Sequence, residues 1–79
     1  MLCMPTVWRQ NGYEVVIYPA DHEPPHVHVF RAEGEVKIDI LTNQVIDAWR
    51  MSGREQRRAQ EIVAVVRELL MSRWKEING

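Results

Sequence analysis

"HVHVFRAEGEVKIDIL", residues 26–41, alternates apolar and polar side chains on both sides of "AEGE" (32–35), the pattern of two strands joined by a tight turn. With Glu33 and Gly34 at the tip, Val29 faces Ile38, Val27 faces Ile40 and His28 faces Asp39. One face of this hairpin is then Val27, Val29, Val36, Ile38 and Ile40. The other carries His26, His28, Phe30, Lys37, Asp39 and Leu41, because successive strand residues point to opposite sides. The histidines are expected to be displayed on a polar surface beside a carboxylate and an ammonium.

Towards the N-terminus, residues 4–18 predict another hairpin. "PTVWR" and "YEVVIY" flank Asn11-Gly12, a dipeptide that accepts the positive φ angles of a two-residue turn. Arg9 then lies opposite Glu14, Trp8 opposite Val15, and Val7 opposite Val16, each a sensible cross-strand pair. "PADHEPP" (19–25) cannot continue a strand, since proline lacks the ladder donor and restricts the residue before it. It reads as a loop stiffened by Pro24 and Pro25, with a cis bond as the lesser alternative.

Towards the C-terminus, "QVIDAWRM" (44–51) alternates weakly and fits either a fourth strand or a longer loop. Ser52 and Glu55 match a capping box, in which each side chain satisfies a free amide at a helix start. Beyond it Ala59, Ile62, Val63, Val66, Leu69, Leu70, Trp74 and Ile77 recur at helical spacing, a stripe suited to covering the apolar face of a sheet. The expected fold is α+β: an antiparallel three- to four-stranded meander packed against one long C-terminal helix, with residues 1–79 forming a single domain.

Composition excludes several classes. A net charge of −1, with 27% charged and 46% hydrophobic residues, creates no global field towards nucleic acid or membrane. No apolar run approaches the ~18 residues of a membrane span, and "MLCMPTVWRQ" has neither the basic nor the apolar region of a secretion signal, so a cytoplasmic location is expected. Cys3 is the only cysteine, which excludes an internal disulfide and a cysteine-built zinc site.

In "MPTV" (4–7), "DHEPPHVHV" (21–29), "AEGEVKI" (32–38) and "LLMSRW" (69–74), taken in this order, the chain resembles the bacterial domain-of-unknown-function family 4160 from Met4 to about Trp74. The specific part is D-H-x-P-P-H-V-H-V, filled by Asp21, His22, Pro24, Pro25, His26, Val27, His28 and Val29. The chain starts three residues before the Met-Pro-Thr usual for that family, which leaves Cys3 outside the motif. The resemblance implies a small protein encoded beside a second small protein, as in toxin–antitoxin modules, and supplies no catalytic residue.

Chemistry therefore rests on the residues themselves. All three histidines fall within residues 22–28. His26 and His28 project from one side of a strand, close enough for both imidazoles to bind one ion; His22 or Asp21 could complete the shell, and Asp39 could orient a ring. Zinc or nickel suits such donors. A metal-free alternative is a ribonuclease, in which His26 and His28 act as base and acid, Asp39 assists and Lys37 steadies the phosphorane. Arg50, Arg54, Arg57 and Arg58, grouped about the helix start, are candidate RNA phosphate contacts, or a solvated helix end balanced by Glu55 and Glu61. The leading expectation is a partner-binding protein with this His/Asp/Lys surface as its working face, the partner being the neighbouring small protein or a second copy in a homodimer. A small ribonuclease or metal-dependent hydrolase is the alternative.

Overall fold

The computed structural model describes residues 5–79, so the readings of Cys3 and Met4 lie outside the described residues. Five strands, β1 (Thr6–Gln10), β2 (Tyr13–Val16), β3 (His26–Arg31), β4 (Gly34–Asp39) and β5 (Val45–Trp49), precede two helices, α1 (Gly53–Val65) and α2 (Arg67–Asn78). The strands form one antiparallel sheet in the order β1-β2-β3-β4-β5. The expected α+β meander is present, with one more strand and one more helix than the pattern suggested.

The first hairpin turns at Asn11 and Gly12, both at positive φ, and pairs Arg9 with Glu14 and Trp8 with Val15 as expected. Thr6, not Val7, faces Val16: the register shifts between Thr6 and Trp8, leaving Val7 as the extra residue of a bulge.

The second hairpin is displaced by two residues. Arg31 pairs with Gly34, so the tip is Ala32-Glu33, Val29 faces Val36, Val27 faces Ile38 and His28 faces Lys37. Ala32, within the observed tip, takes a positive φ of 52°. Gly34 serves another purpose, since a Cβ there would drive into the backbone carbonyl of Arg50. A two-residue slip preserves every residue's face. Val27, Val29, Val36, Ile38 and Ile40 are accordingly fully buried, together with Val15 and Ile17 of the preceding strand segment.

β5 exists because Asp39 closes the turn before it. Its side chain accepts from the amides of Leu41 (2.8 Å) and Thr42 (2.9 Å), and its backbone bonds Asn43 and Gln44. The weak alternation in 44–51 has a physical cause as well: the register shifts between Lys37 and Ile38, leaving Ile46 as the extra residue of β5.

The capping box at α1 is complete, with Ser52 Oγ accepting from the Glu55 amide and Glu55 accepting from the Ser52 amide. The single long helix expected is interrupted at Val66, where φ is −104° and ψ is 20°. Ile62, Val63, Val65 and Val66 crowd one turn with β-branched side chains, which lose rotamer freedom in a helix. The interruption leaves Val65 83% exposed while Ala59, Ile62, Val63, Leu70 and Trp74 close over the sheet.

Candidate metal centre

The loop between β2 and β3 delivers Asp21, and the start of β3 delivers His26 and His28. Their rings lie 5.2 Å apart, edge to face, as expected for residues two apart on one side of a strand. Neither is displayed: His26 is 4% exposed and His28 half-buried, which corrects the expectation of a solvent-facing pair. Trp74 of α2 lies against His26 at 5.3 Å, and Tyr18 meets the edge of His28 at 4.9 Å.

Each imidazole is anchored through Nδ1. That of His26 is 2.8 Å from the Pro24 carbonyl oxygen, which can only accept, so Nδ1 carries the proton. That of His28 is 2.8 Å from Glu35 Oε2, again an acceptor when ionised. Both rings then turn Nε2 towards one atom, Asp21 Oδ2, at 3.2 Å from His26 and 3.5 Å from His28. Asp21 Oδ2 and His28 Nε2 are buried without any hydrogen bond. Asp21, His26 and His28 thus form a group able to hold a metal ion, with donor atoms all within 4.8 Å of one another. Ligands about 2.0–2.1 Å from a tetrahedral zinc stand about 3.3–3.4 Å apart, close to the spacing of Asp21 Oδ2 from each of the two Nε2 atoms.

The other candidates separate. His22 is exposed and is not a member of the group; Asp21, the alternative named with it, takes the third place. Asp39 shares the histidine face, opposite His26, but its carboxylate is committed to the turn amides and orients no imidazole. Lys37 pairs across from His28 and lines a groove of about 220 Å³ with His28, Glu35, Asp47, Ala48 and Trp49. Glu35, which fixes His28, was hidden by the two-residue error in register.

Arg54, Arg57 and Arg58 line a separate cleft of about 700 Å³ with Tyr13, Arg31, Ser52, Glu55 and Glu61. Tyr13 and Arg31 pair on the sheet face that carries Val15 and Val29, the side opposite His28. Arg50 is elsewhere again, 3.5 Å from Glu33 and over the Trp49 ring. The arginines and the histidines are therefore not one site.

Among the described residues, no helix is long and apolar enough to cross a membrane. No curated protein and no solved structure matches the chain. A family model described as "Domain of unknown function (DUF4160)" matches residues 12–75, a span that holds the Asp21, His26 and His28 group and most of both helices. The chain belongs to this family of domains of unknown function.

Proposed function

We propose that this domain binds a divalent metal, zinc before nickel, through Asp21 Oδ2, His26 Nε2 and His28 Nε2. One observation carries the reading: a buried and a half-buried imidazole, each with Nδ1 already engaged, aim Nε2 at a buried carboxylate oxygen that accepts no hydrogen bond. If both rings are neutral, lone pairs face lone pairs, and only a cation among them makes the arrangement favourable. The engaged Nδ1 atoms match the outer contacts that hold metal-binding histidines in one tautomer. Charge also balances, because Asp21 and Glu35 together offset a dication.

Three protein donors leave a coordination position for water or a substrate atom, the arrangement of hydrolytic rather than purely structural zinc. Such an ion would supply a water ionisable near neutral pH. The metal-dependent hydrolase is thereby favoured over the metal-free ribonuclease, three of whose candidate phosphate contacts, Arg54, Arg57 and Arg58, line a cleft on the other side of the sheet. Metal analysis and calorimetric zinc titration test the proposal. Stoichiometric binding is expected for the wild type and none for a His26→Ala, His28→Ala double variant; a wild type that binds no zinc at pH 7.5 overturns it.

A partner-binding role, with the small neighbouring protein of a toxin–antitoxin-type module or with a second copy, is supported by a different observation. The outermost strand β5 leaves Ile46 45% and Trp49 64% exposed, and such an edge invites pairing. A Trp49→Ala variant that keeps the wild-type sedimentation profile and its binding to the neighbouring protein would remove this reading.

A further inference from the structure

The last turn of α2 touches two of the three metal-site residues from one side. Trp74 lies against His26, and four residues on, at the position directly above it on a helix, Asn78 reaches the Asp21 loop. Asn78 Oδ1 accepts from the Asp21 amide at 3.2 Å, and Asn78 Nδ2 donates to the Tyr18 carbonyl at 3.2 Å. One side-chain amide thus closes the turn Tyr18–Asp21 in the manner of a paired strand. Within that turn Ala20 sits at a φ of 65°, a conformation that crowds a Cβ against the following carbonyl and so needs outside support. Other polar groups facing Asp21 are the two histidines themselves, and Tyr18 packs on His28.

The geometry points to a coupling between metal occupancy and docking of the α2 terminus, with Asn78 as its positioning residue. Helix ends fray unless tied down, and this end is tied to the backbone of a ligand. Whatever fixes Asp21 therefore favours the docked turn, and the docked turn favours the ion; the two effects must be equal and reciprocal. A metal that holds Asp21 in place would quench fraying of residues 75–79. Loss of the Asn78 amide would return the carboxylate to a loop that must be ordered at the moment of binding. The inference rests on the metal reading above and adds to it a control point about a full helix away from the first helical residue of α2.

The test titrates zinc into the wild type and Asn78→Ala, and follows amide hydrogen exchange in residues 74–79 with and without zinc. The variant is expected to bind zinc about 10–100-fold more weakly, the range for losing an outer contact to a ligand. Zinc should slow exchange at the helix end in the wild type and do so far less in the variant, which a loss of general stability alone would not produce. Wild-type zinc affinity in Asn78→Ala, or exchange at 74–79 indifferent to zinc, overturns the coupling while leaving the metal site standing. A wild type that binds no zinc removes both. Melting of the metal-free proteins verifies that the variant is folded; should it not be, the exchange response of the wild type decides alone.

Discussion

Asp21 Oδ2 lies 3.2 Å from His26 Nε2, yet this buried oxygen accepts no hydrogen bond. Proximity without a bond means that the pair awaits a positive charge, either a proton on Nε2 or a metal. The two differ in their dependence on pH. Metal binding requires deprotonated imidazoles, so zinc affinity should be full near pH 7.5 and fall on acidification. At a fixed zinc concentration a hundredfold above the Kd at pH 7.5, zinc should stabilise the fold by about 2.7 kcal/mol at pH 7.5 and by less at pH 5.5. Thermal melts at both pH values check this. Stabilisation that grows on acidification would favour the proton instead.

Glu35 should matter without being a ligand. Its carboxylate, 2.8 Å from His28 Nδ1, holds the proton there and leaves Nε2 free for metal. Glu35→Gln is expected to weaken zinc binding by about 10–100-fold, whereas Glu33→Gln, at the exposed hairpin tip, should leave it unchanged. Calorimetric titration of both variants distinguishes a role in the site from a general loss of negative charge.

Much of this was legible before any coordinates. Period-two alternation assigned the core face of β3 and β4 correctly, and Ser52 with Glu55 located the start of α1, because both signals are local. Pairing was harder to read. Gly34 looks like a turn residue, and the clash that makes it glycine comes from Arg50, sixteen positions away and just past the end of β5. That one misplacement put Asp39 beside His28 and hid Glu35. Asp39 misleads for a related reason, since a carboxylate ending a strand serves a turn as readily as a site. Asn78 carried no signal, because its partners are the backbone groups of Tyr18 and Asp21, set by tertiary structure alone.

Gly34 tests the register of the β3–β4 hairpin. A Cβ at position 34 would overlap the Arg50 carbonyl, which as backbone cannot swing aside. Gly34→Ala should destabilise the domain by about 1–3 kcal/mol, the usual range for overpacking, or lower Tm by roughly 4–8 °C per kcal/mol in a chain of this size. Were Gly34 instead needed only as a flexible tip residue, Ala32→Gly and Gly34→Ala together would restore stability. With Ala32-Glu33 at the tip, the double variant should recover at most the relief of Ala32 from its positive φ.

Tyr18 offers a spectroscopic view of the same centre. Burial raises its phenol pKa above the ordinary 10.0, and the negative charges of Glu35, Asp21 and Glu14 raise it further, in that order. The folded state therefore holds the Tyr18 proton more tightly than the unfolded chain does. This contribution to stability is complete below about pH 10 and is lost as pH rises through the folded-state value. In the metal-free protein the Tyr18 ring, followed by its NMR shift, should thus titrate above an ordinary phenol. Asp21→Asn removes one of the named charges and should bring the midpoint down, although not to the ordinary value, because burial, the largest cause, remains. A bound dication acts in the same direction by offsetting Asp21 and Glu35 together. If Asp21→Asn leaves the Tyr18 titration where it was, the carboxylate does not face this ring and the centre is not built as described.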